Sequence, residues 1–340
     1  MLSFYRQQRH TFLYKVELTS FFNISYAINS NLRFDVDYKS IRIISKNINR
    51  AFFFIFILSF IKKRDVDAVI VHGTNYFLKA SLIKLFCGTG VILQHHAEKT
   101  YLSKKALLMP FCKRFIDLYF FNGKEIAQPF IEKKYISENK VVGITEGTTS
   151  FQLKSKIRTI GNKQICFIGR LNRNKNLITV LEAIVELKAG RKDFQISVYY
   201  NVNDDENELK IFCERNNLNE LVIFKGEVPH TEVEKILNET DIYISASLYE
   251  GSGYALIEAL ACGCYPVASN IPSFNFLLRD LEHKEQFNPE DSEELATVLN
   301  KILNLDLKEN IRKEIRHYFE ATCSPQAIAK QINQAVQAIL

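Results

Sequence analysis

Short apolar runs recur along this chain with helix-length segments between them, and that rhythm restricts the fold more than any other feature of the sequence. "DAVIVHG" at 67–73, "GVILQHHA" at 90–97 and "DLYFFNG" at 117–123 each end in Gly, Ala, His or Asn. Strands buried on both faces read as continuous apolar runs and parallel strands need crossovers, so the alternation predicts a parallel α/β sheet whose carboxyl ends present polar residues. After a polar stretch at 145–163 the rhythm restarts with "QICFIGR" at 164–170, "FQISVYY" at 194–200, "LVIFKG" at 221–226, "DIYISAS" at 241–247 and "YPVASN" at 265–270. Two doubly wound α/β domains joined near residue 150 account for a length of 340 residues, too long for one ordinary core. Ligands of such sheets sit outside the carboxyl ends of the strands, so with two facing sheets the expected site is the cleft between them.

Charge is split between the halves. Residues 1–150 carry 22 Lys/Arg against 11 Asp/Glu, a net +11, while residues 151–340 carry 22 against 27, a net −5. A basic first half is either a solvated face or the part that meets an anion: nucleic acid, acidic lipid headgroups or a phosphorylated substrate. No aromatic-basic stripe or helix-turn-helix pattern supports nucleic acid. Seven cysteines, an odd number without paired spacing and with no signal peptide ahead of them, point to a reducing cytoplasm, and Cys262-x-Cys264 lacks the second ligand pair that zinc needs. The run "AFFFIFILSFI" at 51–61 is too short to cross a bilayer and reads as a core helix leading into the next strand, with a membrane-lying segment as the rival.

The chemistry concentrates in three stretches. In "SASLYEGSGYALIEALACG" a strand ends near Ser247 and a helix begins near Gly253, so the glycines let backbone approach a ligand and the unpaired N–H groups of the helix's first turn favour a phosphate. Glu250 precedes those donors, and Glu258 lies on the helix, where side chains tilt back towards the amino end. Two acids flanking an anion site make sense as acceptors for hydroxyls on either side of a diphosphate, as a nucleotide sugar would supply; otherwise Glu250 is a solvated loop acid and Glu258 complements the helix dipole. In "ICFIGRLNRNKN" the cations Arg170 and Lys175 bracket a strand-end loop, either to neutralise a diphosphate leaving group or as plain surface charges. In "VILQHHAEKT" His95 and His96 close a strand of the basic half, where one of them can bond a sugar hydroxyl.

"FIGRLNRNKN…LEAI", "GEVPHTEVEKILNETDIYISASLYEGSGYALIEALACGCYPVASNIPS" and "FNPEDSEELATVLNKIL", in that order from about 141 to 335, resemble the nucleotide-sugar-binding half of the family 4 retaining glycosyltransferases, which have the GT-B fold. The family's E-x7-E motif falls on Glu250 and Glu258. The resemblance implies that Arg170 and Lys175 hold the donor diphosphate, that Glu250 meets the donor sugar and Glu258 the ribose, that backbone from Gly251 to Tyr254 completes the contacts, and that His96, by position, faces the reacting carbon. Glu146 stands where members more usually have asparagine, and no glycine precedes Gly73, so the opening strand and glycine-rich loop of the family are expected to be lost or replaced.

The expected domains are 1–150, an acceptor-side domain with a shortened or atypical start; 151–325, the nucleotide-sugar-binding domain; and 326–340, a C-terminal helix packing back towards the first. The expected activity is transfer of a hexose, with retention, from a UDP- or GDP-linked donor to a hydroxyl of a cell-envelope glycan or lipid-linked acceptor. It uses no cofactor and no metal: Asp35-x-Asp37 and Asp65-x-Asp67 are the D-x-D sequences, and the second precedes its strand. The rival readings are a catalytically lapsed nucleotide-sugar-binding or partner protein and a nucleotide-sugar epimerase of the same fold. The expected location is the cytoplasm, with the basic half docking peripherally on anionic lipid at the inner membrane face.

Overall fold

The computed structural model describes residues 24–28, 41–45, 50–95, 107–145, 147–154, 162–201, 204–307 and 309–340. His96, Glu146, Asp35 and Asp37 lie outside the described residues. The chain divides into two compact units, Met1–Thr148 with Ser324–Leu340, and Thr149–Cys323.

In the first unit β3 (Ala68–His72), β4 (Gly90–Gln94), β5 (Leu118–Phe121) and β6 (Val141–Gly143) form a parallel sheet in chain order. Alternate residues of its strands face two different cores. Val91, Leu93, Tyr119 and Phe121 pack against the helices α1 (Arg50–Arg64), α2 (Phe77–Cys87), α3 (Met109–Cys112) and α4 (Lys124–Glu132). Ile92 and Phe120 face the other way, onto Ile328, Ala329, Ile332 and Val336 of the C-terminal helix Pro325–Gln337. That alternation is the period of two expected of strands covered on both faces.

A parallel pair, β1 (Ile24–Ile28) and β2 (Ile41–Ser45), precedes β3 in the stretch where the sequence reading expected the family's first strand and glycine-rich loop to be lost or replaced. One expectation needs correction here. The apolar run at 51–61 is a helix leading into a strand, but of the described side chains of α1 only Ile61 is buried, while Phe52 and Ile55 point to the surface.

The second unit holds β7 (Lys163–Ile168), β8 (Phe194–Tyr199), β9 (Val222–Gly226), β10 (Ile242–Ser245), β11 (Tyr265–Ser269) and β12 (Glu285–Phe287) in one sheet of order β9-β8-β7-β10-β11-β12, with every pair parallel. The chain winds outwards from β7 to β9, returns to the middle, and winds outwards the other way from β10. The crossovers α5 (Leu177–Leu187), α6 (Glu206–Arg215), α7 (His230–Glu239), α8 (Tyr254–Ala261) and α9 (Pro272–Leu277) join successive strands. α10 (Ser292–Leu303) begins with Asp291, whose carboxylate accepts from the Glu294 N–H at 2.8 Å, and α11 (Glu309–Thr322) packs on α8. The C-terminal helix Pro325–Gln337 is α12.

Behind α8 the chain turns at Gly263, whose φ of 71° is left-handed and whose Cβ, were there one, would lie 2.7 Å from the Arg312 carbonyl oxygen. Gly263→Ala therefore combines backbone strain with a clash against main chain. We expect a loss of about 2–3 kcal/mol of stability, read from the urea midpoint; an unchanged midpoint contradicts the account of this turn.

Candidate functional site

Strand order reverses between β7 and β10, and the loops that leave the carboxyl ends of those two strands border the crevice that such a reversal opens. The first loop runs Gly169–Asn176 and the second Ala246–Gly253. All of the candidate residues expected in the second unit lie on these loops or on the first two turns of the helix that follows the second.

Hydrogen bonds stitch the loops together. The Leu248 N–H donates to the Asn174 carbonyl (2.9 Å) and the Asn174 side-chain amide donates to the Tyr249 carbonyl (3.1 Å). Asn176, in the left-handed region at φ 53°, starts α5, and its side-chain amide donates to the Pro289 carbonyl (2.6 Å). Lys175 donates to Oε1 of Glu250, which also accepts from Ser247 Oγ (2.8 Å). The stem of Lys175 lies along Gly169, where a Cβ would come within 3.4 Å of it. The structure thus brings one expected cation directly onto one expected acid. Arg170, by contrast, is exposed and makes no ion pair among the described residues.

Gly251, Ser252 and Gly253 are buried ahead of α8, and Gly253 has φ 63°. Its absent side chain lets the ring of Phe274 close over the turn, since a Cβ would stand 2.6 Å from that ring. The helix begins at Tyr254 with its first amides directed at the crevice end of the loop. One full turn on, Glu258 is 1% exposed and its Oε1 lies 2.6 Å from His230 Nε2 at the start of α7. Tyr243 on β10 is buried: burial first, then the nearby Cys166, Glu250, Glu258 and Cys264, push its hydroxyl well above the usual range and keep it protonated. That hydroxyl donates to the Ile168 carbonyl at 3.4 Å, so β7 and β10 share a neutral floor beneath the crevice.

His230 is the site residue the sequence reading missed. It stands in "GEVPHTEV", and its signal was the position after Pro229, at the first turn of a helix returning towards β10. In the first unit, His95 is buried, with its ring against Phe121 and Phe130 (centroids 4.9 and 5.2 Å) and Nδ1 3.1 Å from Thr74 Oγ1, which is a packing role. Among the described residues no three His, Cys, Asp or Glu side chains are grouped so as to hold a metal ion. A surface depression of about 780 Å³ lined by Arg191, Asp193, Asn300 and Asn304 lies at the amino end of β8, away from the loops, and its Arg191 is committed to Asp193 at 2.7 Å and to Asn300 and Asn304 at 3.0 Å.

Comparison with known proteins bears on the same stretch. The family model for glycosyl transferases group 1 matches residues 151–322. Over 160 residues the chain is 33% identical to an uncharacterised glycosyltransferase of Methanocaldococcus jannaschii, covering 46% of this chain and 38% of that protein. Over 165 residues it is 28% identical to the GPI3 subunit of phosphatidylinositol N-acetylglucosaminyltransferase from Saccharomyces cerevisiae, covering 47% of this chain and 34% of that protein. The matched stretch thus spans well under half of these curated relatives. The crystal structure of Anabaena HepE in complex with UDP and glucose superposes with a TM-score of 0.71 at 13% identity, covering 96% of both chains. The fold expected from the sequence, GT-B with two Rossmann-like parallel sheets, holds.

The Lys175–Glu250 pair yields a stability prediction. Lys175→Met strands a carboxylate whose side chain is 10% exposed, leaving it the hydroxyl of Ser247 as donor among the described residues. We expect a loss of about 1–3 kcal/mol at neutral pH, measured by urea unfolding. A variant as stable as wild type contradicts the pairing.

Proposed function

The chain belongs to the glycosyl transferases group 1 family, and from that premise we propose that it is a family 4 retaining glycosyltransferase of hexosyltransferase type, moving a sugar from a UDP- or GDP-linked donor to a hydroxyl of a cell-envelope glycan or lipid-linked acceptor. The observation that carries this reading is the convergence at one strand-order reversal of a glycine turn, a helix amino end, Lys175 and two acids eight positions apart.

In this reading the Thr149–Cys323 unit holds the donor and the unit built around β3–β6 faces the acceptor. Backbone N–H groups from Gly251 to Tyr254 cradle the diphosphate, and Arg170 and Lys175 neutralise it. Glu250 accepts hydrogen bonds from the donor sugar and Glu258 from the ribose. For the diphosphate to reach Lys175, the ammonium must divide its hydrogen bonds between phosphate and Glu250, which sets the acid beside the sugar end of the donor. His96 is assigned by position to the reacting carbon. Reaction breaks the bond between the anomeric carbon and the diphosphate oxygen and forms the bond to the acceptor oxygen on the same face; the departing phosphate takes the acceptor proton. The protein's share is alignment and stabilisation of the charge growing on the diphosphate. No metal is assigned. The bound UDP and glucose of HepE and the phosphatidylinositol acceptor in the name of the yeast relative support a nucleotide-sugar donor and a lipid-linked acceptor.

A cytoplasmic enzyme working on such an acceptor needs a membrane contact, and the outer side of α1–α3 supports one. Phe52, Ile55, Leu82, Leu85, Phe86 and Phe111 are exposed on α1–α3, α1 ends in Lys62, Lys63 and Arg64, and Arg114 follows α3. Exposed apolar side chains on helices that also carry cations suit an anionic bilayer surface. No described helix is long and apolar enough to cross a membrane.

A thermal-shift panel of UDP-, GDP- and ADP-sugars should raise Tm for one base, by mass action. With that donor, Glu250→Gln should lower kcat about 10²–10³-fold while retaining nucleotide binding; turnover equal to wild type at background level favours the catalytically lapsed reading. Excess chelator should leave turnover intact, and a loss that added metal restores overturns the metal-free mechanism. Vesicles containing acidic lipid should sediment the wild type at low salt but release Phe86→Asp; sedimentation of neither form rejects the membrane contact.

A further inference from the structure

We propose that His230 is a positioning residue for Glu258, and that the pair makes donor binding depend on the ribose hydroxyls of the nucleotide. The inference rests on the donor reading above and goes beyond it by adding a residue and a selectivity. Glu258 is a carboxylate held 1% exposed on the second turn of α8. A buried carboxylate is tolerable only where donors fix it. His230 Nε2 reaches it across 28 positions of sequence, at 2.6 Å.

The histidine is itself aimed. Its ring stacks on Phe151 with centroids 5.1 Å apart and planes 30° from parallel. Phe151 is pinned in turn: its carbonyl accepts from Arg316 Nη1 at 2.6 Å and its N–H donates to Thr149 Oγ1 at 3.3 Å. The ring therefore has little freedom to swing, and a short bond to Oε1 fixes the rotation of the Glu258 carboxylate about its last torsion. That rotation decides which lone pairs face the crevice, where a ribose diol would present its O–H groups. The His230 side chain is 26% exposed, so solvent reaches it while it touches a fully buried acid. A purely structural bond could be met by any polar neighbour in the interior; one from the rim, braced by an aromatic ring, suits a carboxylate that must hold a set orientation before its ligand arrives.

The test compares two ligands in one protein. The full chain, as wild type, His230→Ala and His230→Gln, is titrated calorimetrically with UDP, GDP and ADP, and the nucleoside diphosphate that binds best is then compared with its 2′,3′-dideoxy analogue. The expected result is that His230→Ala binds the ribo form about 10–100-fold more weakly, changes the dideoxy form less than about threefold, and so loses most of the wild-type preference for ribose. His230→Gln, which keeps an N–H donor, should recover part of that preference. Equal weakening of both ligands, or an unaltered ribose preference in His230→Ala and His230→Gln alike, overturns the proposal while leaving the donor reading in place. A wild type that binds none of the three diphosphates overturns both.

Discussion

Crossovers between parallel strands share one hand, so a chain that stops adding strands on one side of a sheet and starts on the other must carry its helices to the opposite face. Above the strands where this happens no crossover covers the sheet edge. In the Thr149–Cys323 unit the reversal falls between β7 and β10, and Gly169–Asn176 and Ala246–Gly253 are the loops left on its two sides. Everything in the proposed function depends on this topological fact, because it is what lets residues 75 positions apart, Lys175 and Glu250, come into contact.

The helix after β10 is then anchored from behind. Arg312 donates to the Cys262 carbonyl at 2.9 Å and to the Asn238 carbonyl at 3.2 Å, and Arg316 donates to the Ala261 carbonyl at 2.8 Å. Two guanidinium groups thus meet the carbonyl end of α8, where the partial charge is negative. The same Arg316 holds Phe151, and Phe151 holds His230. Fixed charges and packed rings, rather than the loops' own stiffness, keep the acids in place.

Much of this was legible in the sequence because apolar continuity and glycine placement are local. Each strand from β3 to β5 and from β7 to β11 coincides with an apolar run, and the turn before Tyr254 could be read from its glycines. The strands β1 and β2 were not read: "ISYAI" and "IRIIS" are short, and a serine or arginine interrupts them. Long-range contacts were beyond reach for a different reason. The contact between Lys175 and Glu250 depends on β7 and β10 lying side by side, and the aim of His230 at Glu258 on where α7 returns to the sheet. Nor does an apolar pattern say which side of α1 is covered, since that helix is apolar nearly all round.

The central claim is that a diphosphate binds at the amino end of α8 between two acids. A crystal structure of the chain with the nucleotide sugar that binds best, or with its nucleoside diphosphate, tests it directly. The account predicts phosphate oxygens within about 3 Å of the amides between Gly251 and Tyr254 and of Lys175, with ribose hydroxyls at Glu258. Nucleotide density elsewhere on the protein, with Glu258 turned away from it, would contradict the account.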